Sequence, residues 1–157
     1  MKRRIELSNF CIFATLLCLL LLVGCIFIIP ETWYMIPCGC FISIILICAL
    51  YYAPLSIDVT EKEVIINRAL SLAKRLPVAD IKSVKTYEPT NALRTCGSGG
   101  FLGYWGWFTA RGIGKYFAYH GKTTDCFLVE MTDGRKYLLG CKDAKEVAAR
   151  IATLTSP

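Results

Sequence analysis

Charge is missing from two long stretches of this 157-residue chain, the 24 residues between Glu6 and Glu31 and the 26 between Glu31 and Asp58. Histidine is almost missing too: His120 stands alone. With no carboxylate–Ser or Cys arrangement at a recognisable motif beside it, it reads as a strand-end side chain rather than a catalytic base. None of the nine cysteines forms a Cys-x-x-Cys pair, which removes the usual thiol-redox and zinc patterns. Gly97-Ser98-Gly99-Gly100 lacks the Gly-Lys-Ser/Thr ending of a phosphate loop and opens no helix. Residues 54–157 carry 15 Lys+Arg against 10 Asp+Glu, net +5. The two signs are interspersed, so there is no basic stripe for nucleic acid. Internal repeats and low-complexity segments are absent as well.

Each uncharged run is long enough to cross a bilayer, since ~20 apolar residues span the hydrocarbon. The expectation is a two-helix transmembrane anchor over residues 1–53, with spans at about 9–29 and 33–53 and a short turn around Pro30-Glu31-Thr32. Lys2, Arg3 and Arg4 precede the first span, and most other basic residues follow the second. The positive-inside rule then puts both termini in the cytoplasm and the protein in the cell's inner membrane. Trp33 and Tyr34 open the second span and Tyr51 and Tyr52 close it, as interfacial anchors do. Leu22-Val23-Gly24-Cys25 offers an alternative, a lipoprotein processing site with Cys25 lipidated. The segment after Cys25 is still apolar, and a signal core is usually only ~7–15 residues long. Cys11, Cys18 and Cys25 recur every seven residues on one helix face. With Gly39 and Ser43 they suit a close helix seam, or a homo-oligomer through the transmembrane helices.

Residues 54–157 are enough for one small domain. Leu55, Ile57 and Val59 alternate with polar residues in the period of a half-buried strand. Glu61-Lys62-Glu63 is a turn, Val64-Ile65-Ile66 a return strand, and Ala69 to Pro77 a third. Short connections of this kind imply antiparallel neighbours. A fourth strand follows Pro77 and ends before Pro89, which lacks a ladder donor. Residues 90–100 read as loop, and Phe101 to Phe108 packs five aromatics between glycines. Strands are expected over Ile113–His120, Asp125–Thr132 and Arg135–Cys141, the last two joined by a two-residue turn at Asp133-Gly134. The tail is an amphipathic helix that Asp143 can cap, with Ala144, Val147, Ala148, Ile151 and Leu154 on one face.

The meander from Leu55 to Pro77, the segment Leu76-Pro77-Val78-Ala79-Asp80-Ile81-Lys82-Ser83-Val84, and the Asp133-Gly134 hairpin before a final helix resemble a bacterial pleckstrin-homology-like (PH-like) domain. The run from Gly97 to Gly106 is similar to a glycine–aromatic signature of its membrane-anchored members. The resemblance covers about residues 54–155. It implies a mostly β, α+β barrel of about seven antiparallel strands in two sheets, capped by a C-terminal helix, with no catalytic centre and no cofactor. Lipid-binding members hold phosphate with paired basic residues around the first hairpin, where this chain has Glu61-Lys62-Glu63.

The candidate binding loop is Gly97, Gly99, Gly100, Phe101, Gly103, Tyr104, Trp105, Gly106 and Trp107. Glycines allow close approach of a partner backbone, and the aromatics offer contact area. The same residues would equally serve as barrel filling with bulged strands, or as an edge dipping into the bilayer interface. The functions these features allow are three. A non-enzymatic membrane-tethered module would recruit or regulate a protein partner at the inner leaflet. A PH-like domain could instead sense lipid or the membrane surface. A thiol-based redox protein would use Cys96 or Cys126. No metal site and no nucleic-acid partner is expected.

Overall fold

A computed structural model describes the backbone of residues 1–28 and 32–155, and side chains at 1–24 and 36–155. Cys25, Trp33, Tyr34 and the Pro30-Glu31 turn lie outside the residues so described. The chain opens with a short strand, β1 (Lys2–Arg4), before helices α1 (Asn9–Ile28) and α2 (Thr32–Tyr52). Ser8 caps α1: its hydroxyl accepts the Cys11 N–H at 3.2 Å and its carbonyl accepts the Ile12 N–H at 3.0 Å, satisfying donors that a helix start leaves free.

Among the described residues no helix is long and apolar enough to cross a membrane. The expectation of two complete spans over 9–29 and 33–53 is therefore not supported there.

After α2 come β2 (Pro54–Val59), β3 (Glu63–Arg68) and β4 (Lys74–Pro77), then a one-turn 3-10 helix at Val78–Asp80. With β1 they form one antiparallel sheet in the order β1-β2-β3-β4. The register shifts between Pro54 and Ser56, which reverses the facing of the first residues. Leu55 is thus 53% exposed and Ser56 is buried, where its hydroxyl accepts the Asn67 amide at 3.1 Å. The simple alternation expected at Leu55 fails for that reason. The third strand ends at Pro77 as expected but starts only at Lys74 rather than Ala69. The Arg68 guanidinium donates to the Leu72 carbonyl and folds residues 69–72 into a turn.

The second sheet holds β5 (Ile81–Thr86), β6 (Leu93–Gly100), β7 (Gly103–Ala110), β8 (Gly114–His120), β9 (Cys126–Met131) and β10 (Lys136–Gly140), ordered β5-β9-β10-β8-β7-β6. The seven expected strands all have counterparts. Three more, β1, β6 and β7, bring the count among the described residues to ten. One pairing is parallel, β10 with β8, which corrects the all-antiparallel expectation. The chain leaves β8, crosses the end of β10 through residues 121–125, and returns as the β9–β10 hairpin. Gly140 lies under that crossover, and a side chain there would meet His120 and the Cys126 sulfur. The β9–β10 turn has three residues rather than two. Gly134 N–H donates to the Met131 carbonyl at 3.0 Å, and Met131 N–H to the Arg135 carbonyl at 2.8 Å, with Gly134 at φ +83°. This is a tight turn closed by a glycine bulge.

Helix α3 (Ala144–Thr155) buries Ala144, Val147, Ala148 and Ile151 as the periodicity predicts. They join Ile57, Val64, Ile66, Phe127, Val129 and Leu139 in the core between the sheets. A smaller cluster of Phe108, Tyr116 and Leu138 lies on the other face of the second sheet.

Candidate functional site

The glycine–aromatic run is not a loop. It is the β6–β7 hairpin, with Gly97 opposite Gly106, Ser98 opposite Trp105 and Gly99 opposite Tyr104. Gly97 and Gly106 have φ of +120° and +121°, conformations that L side chains avoid. A Cβ on Gly97 would strike the Trp105 carbonyl, and one on Gly106 the Cys96 carbonyl. The pair lets two strands approach and kink together. Residues 90–100 therefore contain a strand where turn-forming composition suggested none.

The hairpin tip rests on the helices. Leu102 N–H donates to the Thr15 hydroxyl at 3.0 Å, and that hydroxyl donates to the Cys11 carbonyl at 2.7 Å. Side chains added at Gly100 would meet Phe10 and Ala14, and at Gly103 the His120 carbonyl and Leu7. The Phe101 carbonyl accepts the Ser98 hydroxyl at 2.8 Å and the Trp105 indole N–H at 3.3 Å. Trp105 stacks on Tyr52, the last residue of α2, at 5.3 Å and 13°. Tyr51 carries the Arg68 guanidinium over its ring at 5.3 Å. Tyr51 and Tyr52, expected to close the second span as interfacial anchors, thus contact the β domain.

Tyr104 stacks on His120 at 4.8 Å. His120 is 3% exposed, and burial pushes its pKa down to about 4, against a bond from its ring to the Lys122 carbonyl that favours the proton. Burial likewise raises the Tyr104 hydroxyl. Trp107 differs from its neighbours. It is 38% exposed, edge-on to Phe117 at 5.1 Å and covered on one side by Lys115 at 4.7 Å. By alternation Leu93, opposite Thr109, shares its face and is 75% exposed.

Thr15, Ser8 and Lys115 were missed as members of this constellation. Thr15 had a signal, being the one hydroxyl in α1. The first hairpin, over 60–63, is closed by Thr60 and Glu63, and Glu63 pairs with Arg75 at 3.0 Å. No basic pair sits at that turn. Cys126 and Cys141 are buried, and desolvation pushes both thiols up to about 12. Among the described residues no group of three His, Cys, Asp or Glu could hold a metal ion.

A family model described as bacterial PH domain matches residues 55–154, close to two thirds of the chain. The chain belongs to the bacterial PH domain family. No curated protein and no solved structure matches it. The family match begins inside β2, so β1 and both long helices lie outside it. In this PH domain, however, β1 pairs with β2 through Arg3 opposite Ile57, and Ser8 N–H donates to the Gly121 carbonyl at 2.9 Å. Arg3 pairs with Glu146 at 2.8 Å and Lys122 with Glu6 at 2.6 Å. The first eight residues are built into the domain.

Proposed function

We propose that this bacterial PH domain is a non-enzymatic interaction module seated on the inner membrane by α1 and α2, where it recruits or regulates a protein partner. One observation carries the membrane seat. Phe13, Leu16 and Leu20 of α1 and Phe41, Ile44 and Ile47 of α2 are each more than half exposed, and neither helix contains a charged residue. Water would penalise so large an apolar surface, and lipid would not. The pairing of β1 with β2 supports a helical hairpin whose two ends stay on one side, the cytoplasmic side by the charge rule.

The partner surface is the outer end of the β6–β7 hairpin. Trp107 and Leu93 stand exposed there beside Lys115, a mixed aromatic and cationic patch of the kind that anchors interfaces. Tyr104 and Trp105 are engaged within the protein and are left out of it. A photo-crosslinking residue placed at 107 in intact cells, compared with one at Lys82 on the far sheet edge, tests this. A discrete protein adduct from 107 alone, on a chain that resists alkaline extraction of membranes, is expected. Equal labelling from both positions would remove the surface, and extraction by alkali would remove the seat.

A further inference from the structure

A cavity of about 440 Å³ opens where α1, α2 and the β6–β7 hairpin meet. Its walls are almost wholly apolar, formed by Cys18 and Leu22 of α1, Ile45 and Cys48 of α2, and Trp105 of the hairpin. Among the described residues the lone charge lining it is Arg94. That guanidinium has no carboxylate partner among the described residues. It lies across Gly99, where an added Cβ would sit 3.1 Å from the Arg94 Nη1, so the absent side chain leaves its path clear. The other polar side chain of the lining that could compete, Ser98, already donates to Phe101.

We propose that this cavity binds one acyl chain of an anionic phospholipid, with the phosphate held at Arg94. The inference rests on the membrane seat of α1 and α2. Along the helices the lining residues lie at the right depth. Cys18 is nine residues from Asn9 and Cys48 four from Tyr52, about 14 Å and 6 Å from the domain-side ends at 1.5 Å per residue. That is the acyl region of the leaflet next to the domain. A planar fork of donors matches phosphate oxygens, and a headgroup without its own ammonium leaves those oxygens unneutralised. Charge complementarity thus selects phosphatidylglycerol-like lipid over phosphatidylcholine. This site is separate from the first β hairpin, whose turn holds two acids around one base.

The full chain, reconstituted in bilayers of phosphatidylcholine with one-tenth phosphatidylglycerol and released for native mass spectrometry, should retain one phosphatidylglycerol per chain. Arg94→Gln, at an exposed position, should lower that retention about tenfold, the order expected for one charge-assisted contact. Cys48→Phe should lower retention of either lipid by filling the groove. Equal retention of both lipids by the unaltered chain, or undiminished phosphatidylglycerol in Arg94→Gln, would overturn the site. So would a lipid-free species of two chains, in which a second copy fills the groove. Failure of the chain to enter the bilayer at all, read beforehand by alkaline extraction, would overturn it through the seat instead.

Discussion

The Trp105 indole lies flat on the Tyr52 ring, 5.3 Å between centroids and 13° between planes, and so ties the β6–β7 hairpin to the end of α2. Trp105→Ala should cost about 2 kcal/mol, less than for a fully buried aromatic because Trp105 is only partly covered. A double-mutant cycle with Tyr52→Ala in detergent should give a coupling of about 1 kcal/mol. Additive melting shifts would mean that the two rings do not support one another.

Gly97 and Gly106 face each other with left-handed backbone and no room for a Cβ. Gly97→Ala should destabilise by about 3 kcal/mol or more, combining backbone strain with a clash against the facing strand. Gly112 also has positive φ, +84°, but open space around it. Gly112→Ala should therefore cost only about 1 kcal/mol. Comparable melting temperatures for the two variants would argue against the close approach at Gly97.

These glycines also show where the sequence is legible and where it is not. The period-three-and-four pattern of α3 marked Val147 and Ile151, and both are buried, because a helix on a core has one demand on its sequence. The β6 strand was hidden because Gly97, Ser98, Gly99 and Gly100 carry turn chemistry, yet here they satisfy a kinked ladder. β1 was hidden by its charge. Lys2, Arg3 and Arg4 fit the topology rule for a membrane flank, and nothing local says that Arg3 lies opposite Ile57, 54 positions on. The parallel β8–β10 contact depends on a crossover, which no local pattern encodes. Of the candidate loop, composition located the hairpin but not the division between its seated tip and the exposed Trp107.

The pairing of β1 makes residues 54–157 an incomplete unit. Without residues 1–8, Leu55 and Val59 lose their main-chain partners Ile5 and Met1, and β2 becomes a bare edge open to association. A 54–157 fragment should run as oligomers on gel filtration and melt lower than the full chain. Joining residues 1–8 to it through a flexible linker should restore a monomer. A monodisperse, equally stable fragment would show that β1 is dispensable.

Cys126 and Cys141 are buried, with thiols raised to about 12 by desolvation, so almost no thiolate exists at neutral pH. In the folded chain at pH 8 both should resist alkylation over hours while exposed Cys96 is labelled. Mass spectrometry of proteolytic peptides reads this directly. Rapid modification of Cys126 would revive a thiol chemistry at that position.

His120 gives the fold a pH dependence whose sign is fixed by its burial. Its pKa is about 4 in the folded protein against 6.5 for the free side chain, mainly because the charged ring would lose its water. Between these values the unfolded chain binds a proton that the folded chain refuses, so acid favours unfolding. No penalty applies above pH 6.5. Stability should fall as pH drops towards 4, by about 3 kcal/mol in all. Glu6, held below the usual carboxylate range by Lys122, adds its own loss at lower pH, which Glu6→Gln would isolate. His120→Gln, which cannot take up the proton, should flatten the melting temperature between pH 6.5 and 4. An unchanged slope in that variant would mean that some other group carries the acid sensitivity.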